Sequence, residues 1–298
     1  LAEKIGLVKE IIAEVLGEEP KIFKTKNAYF FTRENGVPCQ IKIVQQDQTH
    51  LLDTEAALYR FISRETSLPA PEILGKGQWG TLSYLIFGTF SGPTLQDNLD
   101  SGENEEKVLF SAGQYLGILH SIELHQQGYL KPDLGIRKKQ LFAQEEYQKI
   151  IRELAEKKII PGQVLTELMQ VNIDFFFQDK SNVLCHGEFI PGNLYAEQTR
   201  IKGIVGWERA HAAPPFLDLA RFILEIKNLE KNISPGSFYE GYSRVKPLTS
   251  IYLEHEEFYK FYALLFSPAL DREKGKELLL TLVEAREKWP KTNLEPTP

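Results

Sequence analysis

The 298-residue chain has only two cysteines and one methionine. Two thiols, Cys39 and Cys185, exclude a disulfide-stapled fold and fit a reducing, cytoplasmic compartment. No apolar run approaches the ~20 residues that cross a bilayer, so no membrane partner is expected. An excess of positive charge is also missing. The sequence carries 35 Lys and Arg against 41 Asp and Glu, a net charge of −6, which gives nucleic acid no support as a partner. Internal repeats and low-complexity blocks are lacking. What is present, 42% hydrophobic and 11% aromatic residues, is enough to bury a core in one large or two modest domains.

The most informative stretch is Val183 to Trp207, VLCHGEFIPGNLYAEQTRIKGIVGW. A short apolar run, Asn182 to Cys185, reads as a buried strand. His186-Gly187-Glu188, a loop and Asn193 follow. Leu194 to Ala196 and Ile201 to Val205 then form a strand pair around a polar turn. The chain thus holds polar groups at the mouth of an apolar scaffold. Cys185 and His186 do not read as a nucleophile pair, because neighbouring side chains on a strand point to opposite faces. Cys185 reads as a small core thiol.

The spacing carries chemistry. In protein kinases an acidic base is followed five positions on by a metal-holding Asn. Glu188 and Asn193 have that separation. The pattern resembles the aminoglycoside phosphotransferase and choline kinase family, whose loop reads His-Gly-Asp-x-x-x-x-Asn and whose metal motif reads Ile-Asp-Trp-Glu or similar. Two Asp residues of that signature differ here: Glu188 stands at the base position and Gly206 at the metal position.

The resemblance implies an α+β, two-lobed, protein kinase-like fold. Residues 1–90 would form an antiparallel-sheet nucleotide lobe with a preceding helix, and 91–298 a mainly helical lobe. The periodicities fit. Leu1, Ile5, Val8, Ile12 and Val15 recur at helical spacing and stop at Gly17. Asn35-Gly36 is a strong hairpin signal. Cys39 to Val44 alternates as a strand, placing Lys42 mid-strand before a helix over Leu51 to Arg64. Gly88 to Pro93 is rich in breakers and reads as the hinge. Thr94 to Asp97 is a capping box that opens a helix. Helices are expected over Val108–Ile122, Gln140–Lys158, Gly162–Gln178 and Phe216–Lys227, and over three later segments. Gln126 to Leu134 reads as an irregular loop.

By the same resemblance Lys42 contacts the nucleotide's phosphates and Glu55 holds Lys42. The turn Lys24-Thr25-Lys26-Asn27 covers the phosphates, with Thr25 and Asn27 as contacts, although it lacks glycine. Glu188 is the base, His186 fixes the loop, and Asp218 braces it from the helix that begins FLDLARFI. His120 reads as a helix-packing residue. The implied cofactors are ATP or GTP with Mg²⁺, and the acceptor is a small-molecule hydroxyl. Asn193 is the retained metal ligand. If the strand continues past Val205, Glu208 faces the same side as position 206, and its carboxylate or that of Glu188 takes over the metal. A second class of function, an inactive or impaired pseudokinase that binds nucleotide, ligand or a protein, follows from Gly206, since glycine offers Mg²⁺ no side chain.

Overall fold

The computed structural model describes residues 2–24, 29–102, 104–139, 141–177, 181–227, 229, 233–267 and 273–291. The chain opens with helix α1 (Ala2–Leu16), which stops at Gly17 in the left-handed region (φ +69°). Strands β1 (Ile22–Lys24), β2 (Tyr29–Thr32) and β3 (Pro38–Gln45) follow, with the β2–β3 turn closed through Gly36 at φ +83°. Helix α2 (Thr49–Glu65) and the hairpin β4 (Ile73–Trp79) and β5 (Leu82–Gly88) complete an antiparallel sheet of order β1-β2-β3-β5-β4. Gly75 to Gly80 has the G-x-G-x-x-G spacing of a nucleotide fingerprint, but it runs along β4 into a turn and precedes no helix. It is therefore part of the hairpin and not a phosphate loop.

The period of two on β5 sorts the core. Tyr84 and Ile86 join Ile41, Phe31 and Val8 under α1. Leu85 and Phe87 point the other way, into the cluster that contains α2. Lys42 is paired with Leu85 across β3 and β5, so its side chain faces α2.

The segment after Gly88 crosses to the second lobe. Its Phe90 ring lies on Gly203, where even a Cβ would meet the ring at 2.1 Å, and its Pro93 carbonyl accepts from Ala196 N–H. Helix α3 (Leu95–Ser101) begins with the complete Thr94–Asp97 capping box. Helix α4 (Glu105–Leu119) leads to three short strands, β6 (Glu123–Leu124), β7 (Gly128–Leu130) and β8 (Ile136–Lys138). The stretch expected as an irregular loop is thus partly a hairpin, too short and too polar to show an apolar period. Helices α5 (Gln144–Glu156), α6 (Gly162–Met169) and α7 (Ile173–Phe177) follow, so the single helix expected over Gly162–Gln178 is broken near Val171.

Strand β9 (Asn182–Cys185) enters the central stretch. The hairpin β10 (Leu194–Glu197) and β11 (Arg200–Ile204) comes next, then β12 (His211–Ala213), α8 (Phe216–Lys227), α9 (Gly236–Ser243), α10 (Ser250–Leu265) and α11 (Glu273–Val283). A second sheet has the order β6-β9-β12-β7-β8. Helices α4 and α9 touch backbone to backbone, because an added Cβ on Gly113 would lie 2.1 Å from the Phe238 carbonyl. The result is α+β and two-lobed. The larger lobe's core runs without a break into α2 and β5.

Candidate active site

The loop after β9 is held from behind. Asp218, in the first turn of α8, accepts the backbone N–H of His186 at 2.7 Å on one carboxylate oxygen and that of Gly187 at 2.9 Å on the other. His120, just past the end of α4, places Nε2 3.3 Å from Asp218 Oδ2 and Nδ1 3.0 Å from the Tyr242 hydroxyl. His120, His186 and Asp218 are all buried. Burial keeps the His120 imidazole neutral, with its pKa below the ordinary value despite the Asp218 carboxylate. A neutral ring then donates from Nε2 to Asp218 and accepts from Tyr242 at Nδ1. Burial alone would raise the Asp218 pKa, but the hydrogen bond from His120 brings it below the usual carboxylate range.

His186 locks the front of the same loop. Its Nδ1 accepts from the Glu188 N–H at 3.2 Å, so its Nε2–H donates to the Val205 carbonyl at 3.1 Å. This joins the loop to the end of β11. Burial is the main influence on the ring and pushes its pKa down to about 4, leaving it neutral at pH 7. Gly187 is required here: it sits at φ +80°, and a Cβ would lie 2.3 Å from the Arg209 carbonyl.

On the facing lobe, Lys42 Nζ lies 2.7 Å from Glu55 Oε1 and also contacts Glu208 Oε1. Glu55 is buried and accepts a further bond from the Tyr59 hydroxyl at 2.6 Å. Burial raises the Glu55 pKa, against the opposing pull of Lys42. Glu208 is different, with a side chain about half exposed (47%). Its partial burial would raise the pKa, but the charge of Lys42 carries it below the usual range. Three residues thus tie strand β3, helix α2 and the turn after β11 into one ion-pair network that spans the lobes. Tyr59 and Arg209 belong to these networks and were not picked out from sequence. Tyr59 falls one helical turn after Glu55, which is the spacing that brings side chains together.

The route to Glu208 differs from the expected one. Strand β11 ends at Ile204, and Gly206 turns the chain at φ +85° into a 3₁₀ turn, Trp207–Arg209. Side chains 206 and 208 therefore do not share a strand face, and Glu208 is drawn to Lys42. The other polar groups are also engaged. Glu188 Oε1 lies 3.2 Å from Arg209 Nη1. Asn193 Nδ2 donates to the Glu188 carbonyl at 2.9 Å, which leaves Oδ1 as the atom it can offer. A Cβ at position 206 would stand 2.8 Å from Asn193 Nδ2, so the Asn side chain occupies the space a side chain at 206 would claim. The expected contacts Thr25 and Asn27 lie outside the described residues.

These donors do not fit an octahedral divalent ion as they stand, because Gly206 brings no oxygen and both nearby carboxylates are paired with cations. Among the described residues, the one grouping of three potential ligand side chains is His120, Cys185 and Asp218. It is buried behind the loop, and its atoms already hold the brace or, for the Cys185 thiol, donate to the Ala213 carbonyl at 3.4 Å.

A cavity of about 560 Å³ opens beside this machinery. Glu55, Gly187 and Glu208 line its inner end, and α2, β7, β8 and the end of α10 supply its walls. It is large enough for a small molecule.

The model of the phosphotransferase enzyme family matches residues 26–246. No curated protein matches the chain in sequence. Several solved structures share its fold. A thermostable mutant of aminoglycoside phosphotransferase APH(4)-Ia, in ternary complex with AMP-PNP and hygromycin B, is 16% identical with a TM-score of 0.64, over 93% of this chain and 98% of that one. A provisionally named fructosamine-3-kinase from Haemophilus somnus 129PT is 17% identical with a TM-score of 0.62, over 94% and 96%. The streptomycin–ATP–APH(2")-IIa ternary complex is 15% identical with a TM-score of 0.58, over 93% and 97%.

Proposed function

This chain belongs to the phosphotransferase enzyme family, and we propose that it moves the terminal phosphoryl group of ATP, or of GTP, to a hydroxyl of a small molecule. The observation that carries this reading is the Lys42–Glu55–Glu208 network at the junction of the lobes. Phosphoryl transfer asks a protein for positioning and charge more than for covalent help. Glu55 and Tyr59 aim Lys42. An incoming phosphate takes the place of Glu208 on Lys42, which is the weaker tie because Glu208 is half exposed.

The acceptor enters from the cavity toward Glu188. As the acceptor oxygen bonds to phosphorus, the bond from phosphorus to the bridging oxygen breaks and the nucleoside diphosphate leaves. Glu188 takes the hydroxyl proton after Arg209 swings aside. Asp218, His120 and His186 fix the loop that carries Glu188 and Asn193. A divalent ion would supply phosphate neutralisation, but Asn193 and Glu208 could hold one only after the Glu208 ion pair opens. The nucleotide lobe is assigned to residues 1–90 and the acceptor lobe to 91–298. The buried, unpaired thiols of Cys39 and Cys185 support a cytoplasmic site of action. Among the described residues, no helix is long and apolar enough to cross a membrane.

Calorimetric titration with AMP-PNP, with and without Mg²⁺, tests the nucleotide half. Micromolar binding that falls at least about tenfold in Lys42→Ala is expected, since a charge-assisted contact is worth ~1.5–3 kcal/mol. The absence of nucleotide binding would sink the phosphotransfer reading and leave a binding module. Binding with no ATP turnover across a hydroxyl-compound panel would favour the impaired form that Gly206 raises.

A further inference from the structure

We propose that the acceptor is a hydroxylated small molecule bearing a carboxylate or phosphate, read by cations at the outer end of the cavity. The proposal rests on the phosphotransferase reading above and deepens it. The second sheet sets the geometry. Cys185, His211, Tyr129 and Arg137 are matched in register across β9, β12, β7 and β8. Matched residues present their side chains to one face, and strands lie ~4.8 Å apart. The row therefore steps outward from the catalytic loop, and Arg137 stands ~14 Å across the sheet from Cys185.

The far end is basic and aromatic. Lys139 Nζ lies 5.1 Å from the centre of the Tyr129 ring, and the Arg137 guanidinium carbon lies 5.8 Å from it. Both cations are exposed cavity-lining residues, and neither forms an ion pair among the described residues. The lining carboxylates sit elsewhere or are engaged. Glu55 and Glu208 are at the inner end on Lys42, which leaves Glu146, exposed on α5, against two cations. Between the ends the cavity is apolar. Leu51, Tyr129 and Phe266, all large and unusually exposed at 39–47%, converge on it. A ligand that covers them leaves less apolar surface in water.

The outer end is thus cationic, while the inner end holds the paired charges of Lys42 with Glu55 and Glu208 and of Arg209 with Glu188. A hydroxyl meets the inner end beside the phosphate site, and an anion meets the Arg137–Lys139 end. A polycationic acceptor would bring like charge to that end.

The test measures binding, by calorimetry or ligand-observed NMR, of D-glucuronate, D-glucose 6-phosphate, D-glucose and D-glucosamine to the full chain. The two anionic sugars are expected to bind at least about tenfold more tightly than glucose or glucosamine. Their relative affinity shows whether carboxylate or phosphate is the natural group. Arg137→Glu/Lys139→Glu is expected to abolish or reverse that preference, and Arg137→Gln/Lys139→Gln to reduce it. All four changes are at exposed positions. Preference for glucosamine, no preference, or no binding of any sugar would overturn the proposal. So would displacement of the anionic sugar by AMP-PNP, which would place it in the nucleotide site. AMP-PNP titration of the unaltered chain keeps the two readings apart: no nucleotide binding there, with the anion preference intact, defeats the phosphotransferase reading alone.

Discussion

The loop between β9 and β10 is built in two halves of different character. Behind it, His120, His186 and Asp218 are wholly buried and bonded to one another, to backbone or to the Tyr242 hydroxyl, with no exposed charge. In front, Glu188 pairs with Arg209 and Glu208 pairs with Lys42, through side chains that are partly in water. By the resemblance drawn from the sequence, His186 and Asp218 in the rear half keep the expected residue types, whereas Glu188 and Gly206 in the front half depart from them. A buried hydrogen-bonded group leaves unsatisfied partners when it is replaced, which costs ~1–3 kcal/mol for each of them. An exposed ion pair is worth ~0–1 kcal/mol and can be exchanged with little loss of stability. The loop's shape is therefore fixed by stability, while the chemistry on its open side is free to differ.

That contrast breaks most visibly at Asp218. Asp218→Ala strands the His186 and Gly187 amides and the His120 ring together. We expect a loss of roughly 3–5 kcal/mol in urea unfolding, with no folded, nucleotide-binding protein near 37 °C. A loss below ~1 kcal/mol would show that the rear half is not what sets the loop.

The next effect is a pH dependence. His186 is held near a pKa of about 4 by burial, below its ordinary value of ~6.5. The unfolded chain takes up a proton below ~6.5 that the folded chain refuses until about 4. Its stability contribution is present above ~6.5 and drains away as pH falls toward 4, and His120 adds to it with the same sign. Urea melts between pH 7.5 and 4.5 should show that slope. His186→Asn should make it shallower by up to about 1.4 kcal/mol per pH unit. An unchanged slope would place the proton uptake elsewhere.

The smallest effect belongs to the front. Glu208→Gln frees Lys42 from one of its two carboxylates and should tighten AMP-PNP binding about fivefold, the worth of a half-exposed pair at ~1 kcal/mol. Its stability should stay within ~0.5 kcal/mol. Weaker binding would instead mean that Glu208 serves the nucleotide directly.

The sequence made most of the frame legible because apolar period and breakers mark it. Phe216–Lys227 is helical over the span expected, Leu51 to Arg64 lies inside α2, and Gly17, Gly36 and the Thr94–Asp97 box fall at element ends. Lys42 and Glu55 meet because strand parity and helix register both act over short distances. The errors have physical sources as well. The reading that carried β11 through to Glu208 extended a strand across a glycine that adopts a left-handed turn, and an ion pair then chose the direction of the side chain. His120 is packed as expected, and only its bonding partners, Asp218 and Tyr242, lie beyond sequence reach at 98 and 122 positions away. The cationic rim escaped because β7 and β8 are three residues each and join the sheet only through the long-range pairing of β7 with β12.

The small lobe's sheet is shared between two separate apolar clusters. Ile41, Tyr84 and Ile86 belong with α1, while Leu85 and Phe87 belong with α2 and the body of the larger lobe. As cooperative units, the outer layer of α1, β1 and β2 can open without disturbing the larger core. Amide protons there would exchange ahead of those in α2. Lys42 rides on β3 at the seam between the units, next to Ile41 in sequence and against Glu55 in space. A phosphate held on that lysine would fasten the looser unit to the tighter one, so ligand binding would be written into the protection of a helix that never touches the ligand.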